Sequence, residues 1–135
     1  RRPEIRGVAV LGSPADFSDW ATHPKRLLRH AREVGVITDP DFPPNVDAWT
    51  RQLREIKPVD DAARLGGRPL LVLHGSDDES VPSFDARVMS DAHGSAELRI
   101  VPGAAHDLRH DPRAVAILLG WLDRQRHEQA PEPAG

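Results

Sequence analysis

Short apolar runs separated by an amphipathic segment dominate the hydrophobic pattern of this chain. Residues 70–73 (LLVL) have the length and uniform apolar character of a strand that is buried on both faces. Apolar and charged residues alternate through residues 97–101, as in a strand with one exposed face. Residues 83–92 between them predict a helix that Ser83 caps and Gly94 ends. The apolar face of that helix would carry Phe84, Val88 and Ala92. This strand–helix–strand order predicts two adjacent parallel strands.

A further strand is predicted near the start of the chain, before a long intervening segment. Residues 7–11 contain the uninterrupted apolar run VAVL. Between this strand and the next, residues 24–34 and 46–56 both show the periodicity of amphipathic helices, and a shorter helix is predicted from Asp60. Asn45 is placed to cap the second of them. The sequence therefore predicts an α/β fold with about three parallel strands, near residues 7–11, 70–74 and 97–101.

An acid and a histidine follow the second and third predicted strands. Residues 74–82 read HGSDDESVP, and residues 103–106 read GAAH. Because the carboxyl ends of parallel strands share one edge of a sheet, Asp78 and His106 should meet there. An acid that orients a histidine, which in turn activates a hydroxyl, needs this geometry. Asp77 offers the same chemistry one residue away, and either aspartate would also serve as a turn-capping residue.

These motifs resemble those of a known family. From about residue 7 to residue 124 the chain resembles the C-terminal half of an α/β-hydrolase of the esterase and serine-peptidase-like group. The acid of that family lies four residues after the histidine of an HG pair and four before the proline of a VP pair, which is the position of Asp78. The histidine of the family follows the last strand in a Gly-x-x-His context, which is the position of His106. The resemblance implies a hydrolase of ester or amide bonds in small molecules that needs no cofactor.

The nucleophile of that family lies in a Gly-x-Ser-x-Gly turn, which this sequence lacks. Ser13, Ser76 and Ser95 all lack the second glycine. We therefore expect the nucleophile and the oxyanion hole to lie upstream, with residues 1–127 forming the C-terminal part of one domain and residues 128–135 a disordered tail. The same acid and histidine also serve family members with a cysteine or aspartate nucleophile. The alternative is a non-catalytic remnant of the fold that acts as an interaction module.

In α/β-hydrolases a cap or lid is inserted where this chain has residues 14–67. The resemblance suggests that aromatic residues of this segment line a substrate pocket, the candidates being Phe17, Trp20, Phe42 and Trp49. The alternative is that they form ordinary core between the cap helices and the sheet. The helical spacing of Trp49 with three aliphatic residues favours core, whereas the position of Trp20 on the loop after the first strand leaves both roles open.

Composition narrows the functional classes. The 135 residues carry a net charge of −3 with both signs interspersed, which argues against nucleic-acid binding. No apolar run approaches the roughly 20 residues of a membrane-spanning helix. Because residues 1–135 contain no cysteine, they hold no disulfide, thiol nucleophile or thiolate metal site of their own. This composition predicts a cytoplasmic protein.

The other histidines are weaker candidates. His110 lies four residues after His106, a spacing that suits a zinc site on a helix. However, Asp111 and Pro112 have the pattern of a helix start, which places His110 in a loop. Metal binding is therefore not predicted. His74 ends a strand, and we expect it to be a packed structural residue.

The uniform apolar strand at residues 7–11 also predicts self-association. Such a strand is typical of one that is paired on both sides, and its second partner would come from the upstream half. An open edge of this kind is a template for pairing with another chain. We therefore expect the chain by itself to associate through this edge.

Overall fold

The computed structural model describes residues 2–129, which form two compact units. One unit comprises residues 2–15 and 59–129 and contains the sheet. The other is Asp16–Pro58 and is helical. This helical unit lies inside the segment 14–67 that the sequence suggests as a cap.

The sheet has three parallel strands in the order β1-β2-β3, which confirms the predicted fold class. The strands are β1 (Val8–Leu11), β2 (Leu70–Gly75) and β3 (Glu97–Val101). The register pairs Val8 with Leu70 on one side of β2 and Leu71 with Glu97 on the other. Because β2 is the central strand, all of its residues are buried, as its apolar run predicts.

Side chains that alternate along β2 build two apolar clusters in the sheet-containing unit. Leu70 and Val72 belong to one cluster, and Leu73 belongs to the other. The first cluster is completed by Ala15, Ala62, Ala86 and Met89. The second is completed by Val101, Ala104, Leu108 and Ala114. The period of two along a strand therefore directs β2 into a core on both faces.

The helix between β2 and β3 differs in detail from the sequence prediction. Helix α5 (Ser83–His93) ends at Gly94, whose φ of 89° is the left-handed conformation that glycine adopts readily. Its N-cap is Pro82, and Ser83 is the first helical residue, so the predicted serine cap is wrong. Phe84 is 68% exposed, so its predicted place on the buried face is also wrong. Ala86 and Met89 are the buried residues of this helix, and Val88, which was predicted on the buried face, packs against the same cluster.

Beyond β3, a one-turn 3-10 helix (Leu108–His110) leads into the long helix α6 (Pro112–Glu128). Asp111 is the N-cap, as predicted, and its carboxylate accepts a hydrogen bond from the backbone N–H of Arg113. Glu128 still belongs to α6, so the predicted tail does not begin there. Residues 130–135 of that tail lie outside the described residues.

The helical unit contains α1 (Ser18–Thr22), α2 (Pro24–Glu33) and α3 (Val46–Glu55). Helices α2 and α3 lie where the periodicity predicts them, and the side chain of Asn45 caps α3 by accepting from the N–H of Ala48. The short α1 escaped the sequence analysis because five residues carry too little periodicity. On the predicted apolar face of α3, Leu53 is buried, but Val46 and Ile56 are exposed.

The residues of the sheet-containing unit that flank the helical segment, Ala15 and Val59, are joined by hydrogen bonds within that unit. The backbone N–H of Ala15 donates to the Asp85 carboxylate of α5, at 3.1 Å. The carbonyl of Ala15 accepts from the N–H of Val59, at 3.0 Å, in helix α4 (Pro58–Arg64). This helix begins at Pro58, two residues before the predicted start. The chain therefore leaves and rejoins the sheet-containing unit through a hydrogen-bonded pair of residues.

Removing the cap of α6 should destabilise the chain in a pH-dependent way. Hydrogen bonds from the side chain and backbone N–H of Arg113 lower the pKa of Asp111 from 3.8 to about 2. The contribution of ionised Asp111 to the free energy of unfolding is therefore complete above pH 3.8 and is lost as the pH falls through about 2. We expect Asp111→Ala to lower the urea midpoint at neutral pH and to differ less from the wild type as pH 2 is approached. Asp123→Asn, which removes only exposed ion-pair contacts with Arg126 and His127, is the control and should change little.

Candidate active site

Asp78 lies in the turn that follows β2, with a side chain that is 0% exposed. One carboxylate oxygen, Oδ1, accepts hydrogen bonds from the backbone N–H groups of Ser80 and Val81, both at 2.8 Å. This local turn is typical of aspartate, whose short side chain bonds to the backbone two or three residues ahead. The turn occupies Oδ1 and leaves Oδ2 free to receive another donor.

That donor is His106, which follows β3. Its Nδ1 lies 2.7 Å from Oδ2 of Asp78, so the ring donates a short hydrogen bond to the carboxylate. The imidazole is 48% exposed, whereas its partner carboxylate is buried. With the proton on Nδ1, Nε2 carries the free lone pair, and no described residue hydrogen-bonds to it. The structure thus joins the two predicted residues in an acid–histidine pair whose basic nitrogen is open.

Backbone hydrogen bonds join the two loops that carry this pair. The N–H of Ser76 donates to the carbonyl of Val101, at 3.1 Å, and the N–H of Asp77 donates to that of Ala104, at 2.9 Å. In return, the N–H of Gly103 donates to the hydroxyl of Ser76, at 2.7 Å. Each of the two segments thus donates hydrogen bonds to the other. The distance between Asp78 and His106 is therefore set by these contacts as well as by the hydrogen bond between the two side chains.

Two glycines permit the close approach of neighbouring segments to the pair. A Cβ at Gly75 would collide with the carbonyl oxygens of Ala104 and Ala105, so only glycine fits where the two loops meet. Gly12, just after β1, has φ +64°, and a Cβ there would lie 3.1 Å from Cε1 of His106. The end of β1 therefore packs directly against the imidazole. The sequence analysis missed both roles, although a glycine at a strand end is a signal of close backbone approach.

Opposing effects set the acidity of Asp78. Burial raises the pKa of its carboxyl group, but hydrogen bonds from Val81, His106 and Ser80 together lower it more. The net pKa lies below the ordinary value of 3.8, so the group stays ionised. A buried, ionised acceptor stabilises positive charge on the adjacent imidazole.

Deleting the imidazole should therefore raise the pKa of Asp78. In His106→Ala the carboxylate loses a hydrogen bond and a favourable charge interaction and keeps the two backbone donors. We expect the titration midpoint of the Asp78 carboxyl carbon, followed by ¹³C NMR, to move upward, and His110→Ala to leave it unchanged. The stabilisation from Asp78 is present above its unfolded pKa and lost as the pH falls through its lowered folded pKa, so the variant should lose it at a higher pH. An unchanged midpoint in His106→Ala would contradict the pairing.

The alternative residues Asp77 and His110 differ from Asp78 and His106 in their contacts. Asp77 is exposed, and its Oδ1 accepts from the hydroxyl of Ser76. His110 ends the 3-10 turn with Nε2 3.6 Å from the Asp107 carboxylate. No hydrogen bond or ion pair among the described residues joins Asp77 or His110 to Asp78 or His106. Within residues 2–129, no cluster of three or more histidine, aspartate or glutamate side chains has a geometry suited to a metal ion.

The aromatic candidates form two edge-to-face pairs within the helical unit. Phe17 and Trp20 have ring centroids 5.9 Å apart at 67°. Phe42 and Trp49 are also 5.9 Å apart, at 79°. All four side chains are partly buried. Such pairs stabilise a small helical unit, and the same rings keep accessible surface that a ligand could contact.

The chain has counterparts among solved structures. No protein-family model matches the sequence. The esterase domain of a Rhodothermus marinus protein superposes with a TM-score of 0.61 at 20% identity, over 91% of this chain and 52% of that one. An α/β-hydrolase enzyme from a Moroccan lagoon-sediment metagenome gives 0.58 at 11% identity, over 90% and 51%. BpoC from Mycobacterium tuberculosis, a candidate non-heme bromoperoxidase, gives 0.59 at 15% identity, over 89% and 58%.

The chain spans about half the length of each of these structures. At such identities the likeness concerns the fold, and the fold agrees with the parallel sheet and flanking helices described above. Within residues 2–129, none of the helices combines the length and the apolar character of a membrane-spanning segment. This chain has a partial α/β-hydrolase fold.

Proposed function

We propose that this chain carries the acid and the base of a serine-type hydrolase that cleaves ester or amide bonds. The observation that carries the proposal is the 2.7 Å hydrogen bond between the buried carboxylate of Asp78 and Nδ1 of His106. The partial α/β-hydrolase fold and the esterases among the similar structures support it.

In this proposal each residue has a separate task. His106 removes the proton of the attacking hydroxyl through Nε2 and then delivers it to the leaving group. Asp78 holds the imidazole in the tautomer that leaves Nε2 unprotonated, and its negative charge stabilises the imidazolium that forms. Neither step needs a cofactor.

The nucleophile is proposed to come from a segment outside residues 1–135. The Ser13 hydroxyl donates to the carbonyl of Pro14, and Ser76 bonds with Asp77 and Gly103. Ser95 lies beside the ring of His93. None of these three serines is hydrogen-bonded to His106 in the described structure, as an activated nucleophile would be. The partial coverage of the similar structures leaves ample length for one elsewhere.

Substrate contacts are proposed for the helical unit. Phe17, Trp20 and Trp49 offer flat apolar surface that suits the acyl or leaving group of a small ester or amide. Replacing Trp20 by alanine in an active protein should then raise KM more than it lowers kcat.

Ester hydrolysis by the chain with and without its upstream segment tests the proposal. Removing a single oxyanion-hole donor typically costs about 10²–10³ in kcat, so the chain by itself should hydrolyse p-nitrophenyl acetate no faster than free imidazole. The protein extended by its upstream reading frame should show a burst that a serine-directed phosphonate abolishes. An extended protein without Gly-x-Ser-x-Gly and without activity would instead support the second candidate, a non-catalytic interaction module.

The open edge of the sheet supports a second proposal, that the chain alone self-associates. Within the described sheet β1 pairs only with β2, and its four residues are partly exposed. A short apolar edge strand with free N–H and C=O groups favours pairing with another copy. Light scattering should therefore show oligomers of the chain and a monomer-sized complex after co-expression with the upstream segment. A monodisperse monomer of the chain with a sharp thermal transition would contradict this.

A further inference from the structure

His74, at the end of β2, is buried directly against the carboxylate of Asp78. Its side chain is 1% exposed. Nε2 lies 2.8 Å from the carbonyl oxygen of Val81 and 3.4 Å from Oδ2 of Asp78. The same Oδ2 receives the hydrogen bond of His106. Two histidines therefore approach one carboxylate oxygen, one from the core and one from the exposed side.

The surroundings of the ring determine which nitrogen carries the proton. The carbonyl of Val81 can only accept, so Nε2 of His74 must be the donor. Nδ1 is buried and has no hydrogen-bond partner among the described residues. A proton there would be a buried donor without an acceptor, which is unfavourable. The structure thus indicates the Nε2–H tautomer, with its N–H directed toward the turn that holds Asp78.

Val81 transmits this contact to the acid. Its carbonyl accepts from His74, while its N–H donates to Oδ1 of Asp78, at 2.8 Å. The His74 imidazole therefore interacts with Asp78 in two ways. It is linked through Val81 to Oδ1, and it lies close to Oδ2. A shift of the turn at Val81 would rotate the carboxylate, and Oδ2 would no longer meet the His106 ring.

We infer that His74 is a positioning residue whose Nε2–H holds the Asp78 turn in the orientation in which Oδ2 binds His106. Its role is distinct from that of the proposed base, because its ring is sealed in the core and cannot reach a substrate. The inference rests on the proposed function only for its effect on catalysis. Its effect on the geometry of the pair is measurable in the chain itself.

The tautomer of His106, measured by long-range ¹H–¹⁵N NMR above neutral pH, reports on that geometry. In the wild type we expect the Nδ1–H form at His106, enforced by Asp78, and the Nε2–H form at His74. His74→Leu removes the donor at similar volume and should shift His106 toward the Nε2–H form. His74→Gln, whose amide nitrogen can reach the position of Nε2, should restore the wild-type tautomer.

His93 provides a matched control. Its Nε2 also hydrogen-bonds a backbone carbonyl, that of Arg68, at 2.8 Å, and no described hydrogen bond links it to the acid turn. His93→Leu should lower thermal stability and leave the His106 tautomer unchanged. An unchanged tautomer in folded His74→Leu would overturn the inference, as would an Nδ1–H tautomer at His74 in the wild type.

His74→Asn, with an amide on a shorter side chain, tests the inference if His74→Leu does not fold. The amide of His74→Asn reaches only the position of Nδ1, so the pairing should fail in that variant and persist in His74→Gln. Equal His106 tautomers in the two amide variants would overturn the inference.

Activity then separates this inference from the proposed function. In the extended protein, displacement of the acid by about 1 Å should lower kcat on the order of a hundredfold with little change in KM. A shifted tautomer in an extended protein that has no activity would refute the hydrolase proposal and leave the positioning role of His74 intact.

Discussion

Replacing His106 by alanine in the protein that carries the nucleophile should lower kcat by about 10⁴-fold or more. In the proposed mechanism His106 both accepts the hydroxyl proton and returns it to the leaving group, and the variant can do neither. Asp78→Asn should cost roughly 10⁴-fold, because an amide in place of the carboxylate favours the wrong histidine tautomer. Steady-state kinetics with an activated ester, together with circular dichroism to verify folding, measure both effects.

Neighbouring residues of the same type are the controls for this experiment. His110→Ala and Asp77→Asn change exposed groups whose described hydrogen-bond and ion-pair partners lie outside the pair. Both should remain within a few-fold of the wild-type kcat. A severe loss in either control, with activity retained in His106→Ala or Asp78→Asn, would show that the site is assigned to the wrong residues.

Replacing Gly75 by alanine should damage both stability and the acid–histidine pair. The added methyl group would collide with the carbonyl oxygens of Ala104 and Ala105, which belong to the backbone and cannot rotate away. The two loops must therefore separate, and the hydrogen bonds between them are broken or strained. We expect a loss of about 1–3 kcal/mol in the free energy of unfolding, measured by urea denaturation. The Nδ1–H tautomer of His106 should be lost at the same time.

Gly67→Ala is the matched control for Gly75→Ala. No atom lies within 4 Å of a Cβ at Gly67, so the same chemical change meets open space. It should leave the His106 tautomer unchanged and alter the free energy of unfolding by less than about 1 kcal/mol, with a gain expected from the less flexible unfolded chain. If Gly75→Ala behaved like Gly67→Ala, the close contact of the two loops would be refuted.

Local sequence patterns predict some features of this fold and not others. The strands could be predicted because uniform apolar runs such as residues 70–73 have few alternatives to a buried strand. Asp78 and His106 could be predicted to meet because consecutive parallel strands place their carboxyl ends at one edge. The buried face of α5 could not be predicted in the same way. Phe84 and Met89 are both apolar, and only packing against the sheet decides that Met89 is the buried one.

By itself, then, the sequence determined the α/β class, the parallel order of the strands and the edge at which the acid and the histidine lie. The spacing to Pro82 favoured Asp78 over Asp77, but only the tertiary structure shows the hydrogen bond from His106 to Asp78 and the different partner of Asp77, since both depend on how the turn is held. It also placed His74 against the acid and showed that Gly75 has no room for a side chain. These contacts join residues on separate backbone segments or on opposite sides of a turn, and their distances are set by packing within about 1 Å, a precision that no pattern of residue types contains.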